Sequence, residues 1–209
     1  MKKAILVVSF GTSHLDALNN SIKKIEDSIQ ENFKEYDVFR SFTSHMIVRK
    51  LKEKHNMEVL FPEDALKKLG EEGYEEVIVQ PLHIIPGEEF DYIKHMVKEY
   101  EPCFKKIEIG RPIFHYEGFE SGPDDYSYFV DTMKDLIEKN SPCVFVGHGS
   151  AHPSNAVYGC LQSVLIDKDY EDVFVGTVEG YPNFSNVLKK AKKKDIKEIY
   201  HGKYKLRQL

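Results

Sequence analysis

Nowhere in the chain do about 18 apolar residues run together, so no helix is expected to span a membrane. Cysteine is scarce: Cys103, Cys143 and Cys160 are the only three, and none stands in CxxC spacing. An odd, scattered set fits a reducing cytosol and weighs against a zinc finger or a disulfide scaffold. Positive charge is not in excess either. The formal net charge of −5 argues against a general nucleic-acid binder, which needs a basic face for phosphate. The lysine-rich KKAKKKDIK reads as a solvated helix face. The patterns GxxxxGK[ST], GxGxxG and GxSxG are all missing, so the chain has neither a P-loop nor a dinucleotide fingerprint, and a hydrolase reading lacks its nucleophile. The charged start MKKAILVVSF has a short apolar stretch and no small-residue cleavage site after it. It reads as a first strand rather than a signal peptide, and a cytoplasmic location is expected.

What is present is ordinary for a globular protein: 41% hydrophobic and 30% charged residues over 209 positions, enough to bury a proper core. Short β-branched runs alternate with amphipathic patterns. KKAILVVSF, YDVFRSF, EEVIVQPLHII and KKIEIGRPIF read as strands, with helices between them, the first over about Leu15 to Asn32. Pro62 opens a later helix at its first turn. HYEGFESGPDD, rich in glycine and acids, is the best linker candidate. Beyond it the cycle restarts, with helices at 124–139, 153–166 and 182–194 and strands PCVFVGHG, DVFVGTVEG and IKEIY. The fold class expected is α/β: two similar lobes, 1–118 and 119–209, each a parallel sheet flanked by helices.

Open parallel sheets bind ligands outside the carboxyl ends of their strands. That rule collects SFGTS, FTSH, PLHIIPGEE, GHGSAH and VEGYP at a cleft between the lobes. In GHG, His148 lies between Gly147 and Gly149, whose missing side chains would leave room for a bulky group near the imidazole. It suits a metal ligand or a proton acceptor; a turn histidine held by backbone hydrogen bonds is the alternative. His152 stands four residues on, but Pro153 is expected to start the helix, so the two are not read as an HxxxH pair. Glu179 ends a buried strand, where a carboxylate needs a partner or a cation. Together His148 and Glu179 offer N and O donors for a borderline divalent metal. His83, Glu88 and Glu89 are the first lobe's equivalents; the acids equally fit a favourable helix N-terminus, and His83 a core histidine bonded to a carbonyl. Ser9, Gly11, Thr12 and Ser13 form a loop able to cradle an anion, with Ser44 in the next such loop.

Taken in order, KKAILVVSFGTS, FRSFTSHMIVRKL, VQPLHIIPGEEFDYI, VFVGHGSAHPSNAVYGCL and GTVEGYPNFSNVL resemble the anaerobic cobalt chelatase (sirohydrochlorin cobaltochelatase) family over about 3–200. The resemblance implies a class II chelatase fold with its active site between two lobes. It implies insertion of Co²⁺ into sirohydrochlorin in the oxygen-independent cobalamin route. It also implies that His148, in GHG, and Glu179, in VE-x-YP, are metal ligands and catalytic residues. Substrate contacts are then expected from Ser9, Gly11, Thr12, Ser13, Ser44, His83, Glu88, Glu89, Gly149, Ser150 and Tyr181, and Arg49 is a further local donor for substrate carboxylates. Co²⁺ and the macrocycle would be the substrates and no nucleotide would be needed; N/O donors alone do not choose between cobalt and other divalent metals such as iron or nickel.

One departure sets a second expectation. Members of that family follow the last strand with a segment of the form PLMLVAGDHA, which carries a second metal histidine. Here DIKEIYHGKYKLRQL stands in its place, and His201 is read as lying too early in the strand for that role. The second lobe is therefore expected to reach three strands and stop, leaving the metal under-coordinated. An uncovered strand edge would favour a homo-oligomer. A tetrapyrrole- or metal-binding protein without turnover is the alternative function.

Overall fold

The computed structural model describes residues 1–118, 120–140, 142–192, 198–201 and 204–208. The chain forms two compact units, Met1–Pro112 and Ile113–Leu209. Among the described residues no helix is long and apolar enough to cross a membrane.

The first unit runs β1 (Lys2–Ser9), α1 (Leu15–Asn20), α2 (Ile22–Asn32), β2 (Asp37–Phe42), α3 (His45–His55), α4 (Pro62–Glu71), β3 (Tyr74–Pro81), α5 (Glu88–Tyr100) and β4 (Lys106–Ile109). Its sheet has the order β2-β1-β3-β4, and every pair is parallel. β1 is central and apolar without alternation because both its faces are covered. Ala4, Leu6 and Val8 pack with Leu66, Leu69, Ile93 and Met96 of α4 and α5. Ile5 and Val7 point the other way, toward Tyr36 and Ile29 of α2. The single helix expected over Leu15–Asn32 is two. It breaks at Ser21, whose hydroxyl donates to the Ala17 carbonyl at 2.5 Å; serine and the preceding asparagines compete with the helical ladder in this way.

The second unit runs α6 (Asp125–Thr132), α7 (Lys134–Asn140), β5 (Cys143–Gly147), α8 (Ala156–Asp167), β6 (Val173–Thr177), α9 (Phe184–Lys192), β7 (Glu198–His201) and β8 (Tyr204–Gln208). The order is β6-β5-β7-β8. The first three strands are parallel, but β8 returns antiparallel beside β7. This corrects the expectation of a sheet that stops at its third strand; β8 adds one antiparallel strand at the edge of an otherwise parallel sheet. The signal was present in the alternation of Tyr204 and Leu206 with Lys205 and Arg207. His201 is the last residue of β7. Helix 124–139 divides at Met133 into α6 and α7, and helix 153–166 begins as a 3-10 turn over Pro153–Asn155.

The segment read as a linker is tied into this unit. Gly118 N–H donates to Pro123 O at 2.9 Å, and the Asp125 carboxylate accepts from the His115 and Tyr116 amides at 3.1 and 2.9 Å. Phe114 is buried and stacks on Tyr126 with ring centroids 4.9 Å apart.

Each unit repeats one device at its edge strand. Gln30 of α2 donates to Tyr36 O at 2.9 Å and accepts from Val38 N–H at 3.3 Å. Gln162 of α8 donates to Val173 O at 2.9 Å and accepts from Val175 N–H at 2.8 Å. In both cases the helix before the edge strand lends it an amide in place of a neighbouring strand.

A charged cluster near the amino end of β1 sets an acid dependence. Glu76 accepts from Tyr36 Oη at 2.6 Å and pairs with Lys3 Nζ at 2.9 Å. The Tyr36 hydroxyl first, and Lys3 second, hold its carboxyl below the ordinary glutamate range. A depressed carboxylate contributes stability above its unfolded value, about pH 4.3, and loses it as pH falls through the folded value. Urea midpoints measured from neutral pH down to about pH 3 should therefore fall more steeply for the parent than for Glu76→Gln. Equal slopes would show that Glu76 does not contribute to the acid limb.

Candidate functional site

At the carboxyl edge of the second unit, β5 and β6 stay paired beyond their last ladder residues, Gly147 and Thr177. Val178 N–H donates to Gly147 O at 3.1 Å, and Glu179 N–H donates to His148 O at 2.7 Å. These bonds set His148 and Glu179 side by side, with Nε2 and Oε2 3.7 Å apart. Both side chains are open to solvent, 78% and 73% exposed. Glu179 thus carries none of the desolvation cost expected of a carboxylate ending a buried strand. Two donors 3.7 Å apart fall within the span of two ligand bonds of about 2.1 Å each, so one ion can touch both. Among the described residues no group of three or more histidine, cysteine or acidic side chains is gathered for a metal.

The glycines of GHG have a different purpose from the one expected. A Cβ on Gly147 would overlap the Tyr158 ring, and one on Gly149, at φ +89, would overlap the Glu179 carbonyl. The positions that side chains on these two residues would take are filled by the protein itself, and the glycines let the two loops close on each other. Burial raises the Tyr158 hydroxyl's pKa, and the Gly149 amide partly offsets the rise.

His152 does not share a helix face with His148. It precedes the 3-10 turn, where its Nδ1 accepts from Ser154 N–H at 3.1 Å. Ser150 Oγ accepts from His152 N–H at 3.0 Å. In the other loop, Pro182 O accepts from the amide and hydroxyl of Thr177 at 2.7 and 3.0 Å, and the Tyr181 ring stands exposed. Sequence reasoning missed Asn155, which bonds to both loops; its position after GHGSAHPS was the available signal.

The first unit gathers a second set at its own carboxyl edge. Ser9 ends β1 with a buried hydroxyl that has no partner among the described residues. Gly11, at φ +91, carries the loop tightly over the Phe42 ring. Thr12 Oγ1 accepts from His14 N–H at 3.2 Å, leaving its own O–H free to donate, while Ser13 is half-buried. Ser44 is buried just before α3 and makes no capping bond with its side chain. Both nitrogens of His83 are enclosed without a hydrogen-bond partner among the described residues, so the expectation of a carbonyl-bonded core histidine is not met there. Burial pushes its pKa down, partly opposed by Glu89. Glu88 and Glu89 line a cavity of about 260 Å³ with Thr43, His45, Glu63 and Tyr92. Tyr92 donates to Glu63, and burial, reinforced by that carboxylate, pushes the phenol's pKa well up.

Residues 3–201 match the family model described as cobalt chelatase (CbiK). The chain belongs to the cobalt chelatase family. Among its family relatives, the sirohydrochlorin cobaltochelatase of Salmonella typhimurium is 36% identical over 185 residues, spanning 87% of this chain and 67% of that protein. The sirohydrochlorin cobaltochelatase CbiKC of Nitratidesulfovibrio vulgaris is 27% identical over 206 residues, spanning 95% and 70%. The fold resembles that of the sirohydrochlorin chelatase SirB from Bacillus subtilis subspecies spizizenii, whose structure was solved in complex with cobalt. Its TM-score is 0.62 at 17% identity, over 96% of this chain and 74% of that one.

Proposed function

We propose that this chelatase-family chain inserts Co²⁺ into sirohydrochlorin in anaerobic cobalamin biosynthesis, with His148 and Glu179 as the metal's protein ligands. The observation that carries the reading is the exposed imidazole–carboxylate pair, 3.7 Å apart and fixed by a backbone bond between its own two residues. Metallation breaks two pyrrole N–H bonds and replaces both protons with the metal ion. In the loaded site the neutral imidazole holds the metal through the Nε2 lone pair. When the metal passes to the macrocycle that lone pair is freed, so His148 takes one displaced proton and the second leaves to water. Glu179 offsets the metal's charge first and the imidazolium's afterwards, which keeps the proton from returning.

The substrate's carboxylates need donors. Ser9, Thr12, Ser13 and Ser44 retain hydroxyl protons for that role, Gly11 shapes their loop, and Ser150 keeps its O–H while its oxygen accepts locally. The exposed ring of Tyr181 offers a flat apolar face. His83, whose pKa burial pushes down, suits a hydrogen bond to substrate better than proton uptake, with Glu88 and Glu89 close by in the chain.

The purified chain, given sirohydrochlorin and Co²⁺ without nucleotide, should convert the absorption spectrum of the free macrocycle to that of its cobalt form. The alternative is a tetrapyrrole- or metal-binding protein without turnover, favoured by the presence of only two donors in the described pair. Macrocycle binding with an unchanged cobalt-dependent spectrum would establish that alternative and overturn the chelatase reading.

A further inference from the structure

His148 and Glu179 project into solvent with little packed around them, so their separation is set by the backbone beneath rather than by neighbouring side chains. That backbone is clamped from one side only by strand pairing. Beyond the bond from Glu179 N–H to His148 O, the loops turn at Gly149 (φ +89) and Gly180 (φ +137) and leave the ladder geometry.

We propose that Asn155 is a positioning residue for the His148–Glu179 pair, supplying with one side-chain amide the rung that the two backbones no longer make. The proposal rests on the reading that this pair holds the metal. Asn155 Oδ1 accepts from Ser150 N–H at 3.0 Å, and Asn155 Nδ2 donates to Tyr181 O at 2.6 Å. His148 is thereby held between Gly147 and Ser150, and Glu179 between Val178 and Tyr181. Only a carboxamide of this length offers an acceptor to one loop and a donor to the other. Aspartate would set an oxygen against the Tyr181 carbonyl, and alanine would reach neither loop. Gly180 is matched to the amide: a Cβ there would lie 2.5 Å from Asn155 Oδ1. Asn155 touches neither metal nor macrocycle in this scheme; it fixes the distance between the two groups that do.

The test compares the parent with Asn155→Ala, Asn155→Asp and His148→Ala by titration with Co²⁺ alone, by kcat and KM for cobalt, and by thermal melting. Both Asn155 variants should bind Co²⁺ about tenfold more weakly, with KM raised by a similar factor and kcat changed less. Asn155→Asp should fail although it is nearly isosteric. The double variant Asn155→Ala/His148→Ala should bind no more weakly than His148→Ala alone, because residues that act through one another are not additive. Parent-like cobalt affinity in an Asn155→Ala protein that merely melts earlier would overturn the positioning role while leaving the metal reading intact. Unchanged affinity in His148→Ala would instead overturn the metal reading, and the Asn155 proposal with it.

Discussion

Gly149→Ala is expected to lower the folding stability of the chain by about 3 kcal/mol or more and to weaken cobalt binding at least about a hundredfold. Two independent costs add at this position. The backbone sits at φ +89, which an L side chain adopts only under strain, and the new methyl group would overlap the Glu179 carbonyl oxygen. Neither can be relieved without opening the contact between the two loops, so the His148–Glu179 separation is lost along with the stability. Gly159→Ala is the natural control. Gly159 lies within α8, nothing stands within 4 Å of a Cβ built there, and alanine in a helix interior should stabilise by about 0.5–1 kcal/mol. Urea midpoints and cobalt titrations on both variants would check the pair. A Gly149→Ala protein as stable as the parent would mean that the loops are not in the contact described.

His148→Ala should show the opposite separation of effects. Its side chain is 78% exposed, so folding stability should move by less than about 0.5 kcal/mol. Cobalt affinity should nevertheless fall about a hundredfold or more, because a direct donor is lost rather than a supporting contact. Glu179→Gln keeps the shape and one oxygen but removes the charge, so its loss should be smaller than that of His148→Ala. Titration with Co²⁺ beside a thermal melt makes the measurement. Unchanged metal stoichiometry and affinity in His148→Ala would remove the imidazole from the site.

How far the molecule can be read without coordinates follows from which interactions leave a periodic trace. β1 is buried on both faces and so appears as an unbroken apolar run, and α5 shows its buried Phe90, Ile93 and Val97 at helical spacing. Parallel pairing and the edge at which the loops meet come from that pattern together with the rule for open sheets. Polar side chains that complete the backbone leave no such trace. Gln30, Gln162 and Asn155 look like ordinary surface residues until tertiary placement puts an amide within reach of an unpaired carbonyl and N–H. The glycines around His148 were legible as necessary but not as to why, since the atoms that require them belong to Tyr158 and to the Glu179 carbonyl. β8 shows alternation over only five residues, too short to outweigh the basic character of its segment.

The borrowed amides on the edge strands also bear on hydrogen exchange. N–H groups on the outer side of an edge strand normally trade their protons with water freely. In these two units Val38 and Val175 give theirs to Gln30 and Gln162, so each proton can leave only when the helix lifts from its strand. Slow exchange at Val38 would therefore report the docking of α2 on β2, and slow exchange at Val175 the docking of α8 on β6. Asn155 stands immediately before α8, so the motion that frees the Val175 proton is also the one that would draw the clamp away from His148 and Glu179.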